Sequence, residues 1–271
     1  MATASDLSSP TPATPAPAPF QARRAFRLLR EVIQDPDDTD KVFEFFEAVG
    51  GNEGPKAYRR CAATPEGRRL LAARPRLVEV LADEAYLASL PEESFGAWYL
   101  RFMRGRGFSP SGLLEARERG AGQRVGEDEA HEWFYERINL MHDLWHVLTG
   151  YGTDELGESA LLAFSHAQIP NRSFPILLAA AVVKGPKSWD MAWPRYLWRA
   201  YRRGRRASLL TAAPYEELLP LPVTEVRARL GVEPSAAWHA DGILAGKLED
   251  HAARIRRLPS SSPVAASKDP A

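Results

Sequence analysis

The sequence predicts an all-α protein, with a single helical domain of roughly ten helices at residues 20–258 between disordered tails at 1–19 and 259–271. Three observations support this fold class. Apolar residues recur three and four positions apart in most segments, no segment alternates apolar and polar residues as a strand does, and proline or glycine separates the segments. With 271 residues and 45% apolar content, the chain is long enough to bury a substantial core. Both tails are rich in proline, alanine and serine and have little to bury, so nothing offsets the entropy of ordering them.

Short helices are predicted in the N-terminal part of the domain. The first runs from Gln21 to Gln34 and ends at the acidic segment 35–38, and the second covers 42–49 before two glycines. Residues 58–90 predict several short helices, because the helical pattern is interrupted by three prolines, Pro65, Pro75 and Pro91.

Aromatic residues at helical spacing mark the segment from Phe95 to Phe108. Two interpretations stay open: a core helix, or a helix whose Trp98 and Tyr99 line an apolar ligand cavity. The following residues, 105–128, are rich in glycine, arginine and serine and predict a mobile connection that could act as a lid.

The chain is organised around the stretch MHDLWHVLTGYGTDELGE, which begins at Met141. Residues 131–149 are apolar on nearly every side of a helix, which predicts a central, buried helix whose charged groups need partners. On that helix His142 and His146 stand one turn apart on the same face, and Asp143 lies about 100° around from His142.

A chain reversal is predicted directly after this helix. Gly150, Tyr151 and Gly152 break it, and Thr153 is the predicted N-cap of the next helix, with acidic residues in its first turn facing the positive end of the helix dipole. Glu158 then falls early in a helix that extends to about residue 168. His166 lies two turns further along this helix. We interpret it either as a residue that orients the metal ligands without binding the metal, or as an ordinary helix histidine.

Imidazole and carboxylate form a ligand set that suits a divalent metal. The predicted ligands and catalytic residues are His142, Asp143, His146 and Glu158, with zinc as the first expectation and manganese, cobalt or iron as alternatives. The single cysteine, Cys61, excludes a cysteine-rich metal site and an intrachain disulfide, and we interpret it as a small packed residue.

The residues alone leave other interpretations of the two histidines open. They could be a structural core or capping pair. The spacing His-Asp-x-x-His also imitates the His-Glu-x-x-His of zinc peptidases, but aspartate is one methylene shorter than the usual base and no strand edge is predicted to align a peptide. A phosphohydrolase of the His-Asp class is weaker still, because the further histidine and aspartate that it needs are not evident.

The C-terminal part of the domain carries two unusual helical segments. Residues 176–183 are apolar and small, and residues 188–206 interleave aromatic residues with arginines. The second segment predicts a solvated basic face, contact with lipid headgroups or phosphate, or contact with nucleic acid. Lys plus Arg and Asp plus Glu both number 35, so no overall field favours nucleic acid, and we expect none as a partner.

No apolar run approaches the roughly eighteen residues that span a bilayer. The N-terminus lacks the features of a secretory signal and has no arginine before Arg23, so we expect a chain that is not exported. Helices are also predicted over 218–230 and 238–258, with His239 and His251 at the surface.

Four segments together resemble one known family. The pattern His142-Asp143-x-x-His146, then eleven residues and Glu158, is similar to the motif of the coenzyme Q (ubiquinone) biosynthesis protein 4 family. The resemblance covers roughly residues 25–235 and includes three further segments, TPEGRRLLAARP from Thr64, LPEESFGAWYLRFM from Leu90 and LPVTEVRARLGV from Leu221.

This resemblance implies a mostly helical fold, a divalent metal at the four motif positions and an apolar groove for a polyisoprenoid. It implies removal of the ring carboxylate from a polyprenylated hydroxybenzoate, with replacement by hydroxyl. It further implies partnership with other ubiquinone biosynthesis enzymes and peripheral membrane contact, on the cytoplasmic face of the inner membrane in a bacterium or the matrix side in a eukaryote. Whether the chain forms a homodimer is left open. The alternative to an enzyme is a non-catalytic, lipid-binding scaffold that holds a structural metal and organises the other biosynthetic enzymes.

The chain departs from the family pattern at two places. Arg137 matches the arginine that the family has five residues before the first histidine, but Asn139 stands where a second arginine is usual. The family's Pro-Asp-x-Arg after the aromatic helix is also absent, and Ser109, Pro110 and Ser111 stand there. The four ligand positions are intact.

Overall fold

The computed structural model describes residues 19–34, 39–50, 53–105, 129–184 and 191–234. Across these ranges the backbone forms thirteen α-helices and one 3₁₀ turn, and its extended pairing is limited to an isolated bridge between Ser94 and Pro222. The all-α prediction is confirmed. Several predictions lie outside the described residues: most of the N-terminal tail, the C-terminal tail, the stop at 35–38, the connection over 106–128 and the helix over 238–258 with its two histidines.

Short helices fill the first half, as the proline pattern predicts. They are α1 (Ala22–Gln34), α2 (Thr39–Val49), α3 (Glu53–Ala62), α4 (Pro65–Ala73), α5 (Leu77–Ala82), α6 (Glu84–Ser89) and α7 (Phe95–Gly105). Pro65 begins α4 because its fixed backbone angle suits the first helical position, and the Thr64 hydroxyl caps the helix by accepting from the Gly67 N–H at 2.9 Å.

The second half contains the longer helices. They are α8 (Glu129–Thr149), α9 (Glu155–Gln168), α10 (Ser173–Lys184), α11 (Ala192–Arg206), a 3₁₀ turn (Leu210–Ala212), α12 (Tyr215–Leu218) and α13 (Val223–Leu230). No helix among the described residues is long and apolar enough to cross a membrane.

The main core surrounds α8. Its buried side chains come from α5 to α9 and from α11 to α13, while α1 and α2 share a separate cluster and α3, α4 and the start of α8 share a third. Ten residues of α8 are buried, among them Phe134, Met141, Leu144 and Leu148. The prediction of a central, buried helix therefore holds, and the helix is a rigid support for the groups it carries.

Arg137 shows how a charge on this helix is accommodated. Its side chain is 1% exposed and forms two charge-assisted hydrogen bonds to the Glu216 carboxylate, at 2.5 and 2.7 Å, and a third at 3.0 Å to the Ala213 carbonyl. The rings of Trp133 and Tyr215 flank the guanidinium. The family-matching arginine is thus a buried link between α8 and α12, where removal of one partner leaves an uncompensated charge.

The helix after the reversal, α9, is held mainly by α11, with which it makes its most extensive contact. The buried amide of Gln168 joins the two, because its nitrogen donates to the Gly204 carbonyl at 2.6 Å and its oxygen accepts from the Leu210 N–H at 2.9 Å. This packing fixes α9 beside α8, which matters because each helix supplies part of the candidate site.

Candidate metal centre

The two histidines of α8 lie together as predicted, with ring centroids 4.8 Å apart and planes at 80°. Asp143 lies at the edge of the pair, with its Oδ1 3.4 Å from Nδ1 of His142. One ligand atom from each of His142, Asp143 and His146 can be chosen so that all lie within 4.8 Å of one another, and these are residue types that hold divalent metals.

The ring of His146 is fixed by the chain reversal that follows α8. Gly150 has a φ of 71°, in the left-handed region that favours glycine, and the turn brings the Tyr151 carbonyl to 3.1 Å from Nδ1 of His146. A carbonyl can only accept, so Nδ1 carries the hydrogen and, in the neutral ring, Nε2 presents a lone pair. That is the tautomer a metal ligand requires.

A close approach of backbone to backbone returns the chain towards α8. A Cβ built on Gly157 would lie 2.1 Å from the Gly152 carbonyl oxygen, so the first turn of α9 can sit here only with glycine at this position. The N-cap is Asp154, whose carboxylate accepts from the N–H groups of Leu156 at 3.1 Å and Gly157 at 3.2 Å. The prediction of Thr153 as the cap is wrong by one residue, because the carboxylate one position later reaches these two donors.

Glu158 reaches back to both histidines. Its Oε1 lies 3.2 Å from Nε2 of His146, and its Oε2 lies 3.5 Å from Nε2 of His142. The three predicted groups therefore converge from two successive helices, and the two imidazoles direct the same ring nitrogen at one carboxylate.

Nε2 of His146 is buried and has no hydrogen-bond partner. Glu158 Oε1 lies 3.2 Å from this nitrogen. A lone pair that faces a carboxylate oxygen is unfavourable unless a proton or a metal cation lies between them. The residues therefore fit a bound divalent metal, which would be held by the Nε2 atoms of His142 and His146 and by Glu158.

The distances allow Asp143 two roles. It can be a ligand, as predicted, or it can hold the His142 ring, because it faces Nδ1 while Glu158 faces Nε2 of the same ring. The second arrangement is the usual carboxylate–histidine–metal geometry, in which the outer carboxylate fixes the ring and raises its basicity.

The site is buried on one side and open on the other. The His146 side chain is 0% exposed and that of His142 is 52% exposed. Phe102 of α7 covers the buried side, stacked on His146 with centroids 5.4 Å apart. A ligand in solution can thus approach over His142.

The charges of His142 and Glu158 support each other. Partial burial lowers the pKa of His142, but hydrogen bonds with Asp143 and Glu158 outweigh it and raise the pKa to about 9. Burial raises the pKa of Glu158, and the two histidines more than reverse this, so its pKa lies well below the usual range. The carboxylate is therefore ionised and available to a cation at neutral pH.

Further residues brace the reversal. Arg227 of α13 donates to the carbonyls of Leu148 and Val147, both at 2.9 Å, and so caps the C-terminus of α8. Arg203 of α11 donates to the Tyr151 hydroxyl at 2.7 Å. These arginines were not predicted as part of the site, because their partners lie far away in the sequence and no motif links them.

His166 does not join the ligands. Its ring packs beside Phe174 and Tyr201, with centroids 6.1 and 5.8 Å away, and burial lowers its pKa. Cys61 is fully buried, as expected for a packed residue, and burial raises its pKa to about 11. The residues at 109–111, where the family's Pro-Asp-x-Arg is absent, lie outside the described ranges.

Comparison with known proteins connects this arrangement to one family. The family model described as "Coenzyme Q (ubiquinone) biosynthesis protein Coq4" matches residues 28–236. The chain is 34% identical over 171 residues to the mitochondrial ubiquinone biosynthesis protein coq4 of Talaromyces stipitatus, covering 63% of this chain and 57% of that protein. It is 31% identical over 175 residues to the mitochondrial ubiquinone biosynthesis protein COQ4 homolog of Rattus norvegicus, covering 63% and 62%. The chain thus matches about three fifths of the length of these relatives.

A crystal structure from Nostoc punctiforme PCC 73102, whose name assigns it to ubiquinone biosynthesis, has a similar fold. The TM-score is 0.57, with 24% sequence identity, over 79% of this chain and all of that chain. At this identity the likeness concerns the fold alone. The match of the family model over most of the chain, which includes all four motif residues, shows that the chain belongs to the coenzyme Q (ubiquinone) biosynthesis protein Coq4 family.

Proposed function

We propose that this chain acts in ubiquinone biosynthesis as a metal-dependent carboxy-lyase, which removes the ring carboxylate of a polyprenylated hydroxybenzoate and replaces it with hydroxyl. Membership of the family supports the pathway. The observation that carries the catalytic part is the convergence of Nε2 of His142, Nε2 of His146 and the Glu158 carboxylate at a position that is open on one side.

The chain's own residues would perform three tasks. His142, His146 and Glu158 hold the metal, and the turn at Tyr151 keeps His146 in the required tautomer. The half-exposed His142 leaves an approach for the oxygen-bearing end of the substrate. Phe102 and the core beneath it exclude water from the other side, which strengthens the electrostatic interactions within the site.

A divalent metal bound here supplies Lewis acidity, by which a carboxylate or phenolate oxygen of the substrate is held and the ring is polarised. Replacement of the carboxylate by hydroxyl, with release of the carboxylate as carbon dioxide, is overall a two-electron oxidation, so an oxidant such as dioxygen is also required. Zinc does not change oxidation state, and with zinc the oxidant must act without electron transfer through the metal.

Variants in cells test this function. We expect His146→Ala and Glu158→Gln to accumulate a carboxylated, prenylated ring intermediate while the amount of protein stays normal. Glu225→Gln is the matched control, because Glu225 is a helix carboxylate whose ion pair with Arg229 is exposed. Loss of the protein itself in both variants would instead indicate a scaffold with a structural metal, and unchanged quinone with normal protein would indicate a peptidase.

Peripheral membrane contact is part of the same proposal, and a surface formed by α10 and α11 supports it. On α10, exposed apolar residues follow helical spacing at Pro175, Ala179, Val182 and Val183, and Val183 is 77% exposed. The end of α10 lies beside the start of α11, because the Trp193 ring donates to the Ala181 carbonyl at 3.1 Å.

The exposed face of α11 is basic and aromatic. Met191 and Trp198 are 59% and 58% exposed, and the helix has no acidic residue. At 100° per residue these two side chains share a sector of about 100° with four exposed arginines, Arg195, Arg202, Arg205 and Arg206. Arginine and tryptophan together suit the headgroup layer of an anionic membrane. A twofold contact through this face would place arginines against arginines, which disfavours a second copy as its partner.

A further inference from the structure

Tyr99 of α7 has a hydroxyl that the fold leaves unsatisfied. The residue is 0% exposed, and its hydroxyl has no hydrogen-bond partner within the described part of the chain. A buried tyrosine normally places its hydroxyl against a donor or acceptor, because an unpaired polar group in the interior is costly. The absence of a partner for the Tyr99 hydroxyl therefore needs a physical explanation.

The position of Tyr99 supplies one. It lies one helical turn before Phe102, whose ring stacks on His146 at 5.4 Å, so the two side chains share the face of α7 that packs on α8. Burial raises the pKa of Tyr99, and the Asp143 charge raises it further. The Asp143 charge thus favours the protonated form of the hydroxyl, which can donate.

Other buried tyrosines nearby are satisfied. The Tyr215 hydroxyl accepts from Nε1 of Trp145 at 2.8 Å and donates to the Leu210 carbonyl at 3.1 Å. The Tyr151 hydroxyl accepts from Arg203. These two hydroxyls have partners, whereas the Tyr99 hydroxyl has none and lies on the face of α7 that also carries Phe102.

We infer that the Tyr99 hydroxyl donates a hydrogen bond to an oxygen of the ligand bound at this centre, namely the carboxylate of an aromatic acid. This inference rests on the proposed function, and it makes Tyr99 a substrate-contacting residue that the His-Asp-x-x-His motif does not include. A hydroxyl held in place by a packed ring costs little entropy when it binds, and its bond to a charged oxygen is stronger than one to a neutral acceptor.

The test compares Tyr99→Phe with Tyr215→Phe, since both residues are fully buried and differ in whether the hydroxyl has partners. The probe is 4-hydroxybenzoate carrying a geranyl chain, titrated calorimetrically into the zinc-loaded protein. We expect Tyr99→Phe to bind zinc as the wild type does, to melt no lower than the wild type without zinc, and to bind the probe about tenfold to a hundredfold more weakly. Tyr215→Phe should melt lower and bind the probe normally.

Two results would overturn the inference alone: equal binding of the probe by Tyr99→Phe and the wild type, or a loss of melting temperature in Tyr99→Phe that matches that of Tyr215→Phe. The second would mean that the hydroxyl already has a structural partner. If the zinc-loaded wild type does not bind the probe at all, the proposed function is wrong, and the inference about Tyr99 is wrong as well.

Discussion

At the scale of single residues, the buried Nε2 of His146, which has no hydrogen-bond partner, indicates which atoms of the site can bind a metal. The ring donates through Nδ1 to the Tyr151 carbonyl, so Nε2 is the nitrogen that remains to bind a metal on the side of Glu158. Glu158 faces Nε2 of both imidazoles, while Asp143 faces Nδ1 of His142.

That difference predicts unequal effects of two substitutions. Glu158→Gln removes a charge that faces both Nε2 atoms, so we expect metal affinity to fall by more than about a hundredfold. Asp143→Asn should cost about tenfold to a hundredfold, as is typical for a group that orients a ligand. Competition with a fluorescent chelator measures both affinities. Equal losses would show that Asp143 is itself a ligand.

Sequence reasoning located the residues whose spacing is local. His142 and His146 are one turn apart on one helix, and Glu158 follows a glycine-flanked reversal, so their proximity could be predicted from the chain alone. For Tyr99 the sequence left open a core position or the wall of an apolar ligand cavity, because whether a buried hydroxyl finds a partner depends on how α7 packs against α8. Arg137 was recognised as a family position, but its role required its distant partner, Glu216.

At the scale of helices, the reversal between α8 and α9 sets the distance between the ligands. Gly157 lies where this turn touches the start of α9, and a Cβ there would meet the Gly152 carbonyl oxygen at 2.1 Å. Backbone atoms cannot yield as a flexible side chain can, so the turn must shift and carry Glu158 with it.

We therefore expect Gly157→Ala to weaken metal binding by at least about tenfold, since small displacements of ligands are costly in preorganised sites. Gly105→Ala is the matched control, because a Cβ at that position meets nothing within 4 Å. Metal titration and circular dichroism measure the two variants. Normal metal affinity in a folded Gly157→Ala protein would show that the turn does not position Glu158.

Helix boundaries were predictable where proline or a cap marks them, as at Pro65 and Thr64. The start of α9 was harder to predict, because Thr153, Asp154 and Glu155 are all residue types that occur at the start of a helix. Asp154 became the cap because its carboxylate reaches two backbone donors, a geometric result that composition does not determine.

For the whole molecule, fold class followed from helical periodicity and the absence of strand alternation, both of which are local properties of the sequence. The arrangement of α9 between α8 and α11 did not, since it depends on long-range contacts such as those of Gln168. The same arrangement leaves the apolar edge of α10 and the basic face of α11 next to each other at the surface.

This surface should bind anionic membranes. Each arginine near such a surface contributes about 1 kcal/mol, so we expect the double variant Arg195→Ala, Arg202→Ala to bind vesicles about thirtyfold more weakly. Sedimentation with phosphatidylcholine vesicles, with and without phosphatidylglycerol, measures this. Arg76→Ala is the control, because it removes an exposed arginine from another part of the molecule. Equal binding by the double variant and the control would exclude this face as the contact.

The central claim is that two imidazoles of α8 and one carboxylate of α9 hold a single divalent cation. The most direct measurement is the metal content of the full chain after incubation with zinc and removal of the unbound ion, for the wild type, His146→Ala and His131→Ala. His131 lies on the same helix and stacks on Tyr58, so it serves as the matched control. We predict one ion per chain in the wild type and in His131→Ala, and none in a folded His146→Ala. A wild type without metal, or a His146→Ala protein that retains as much as the wild type, would contradict the account.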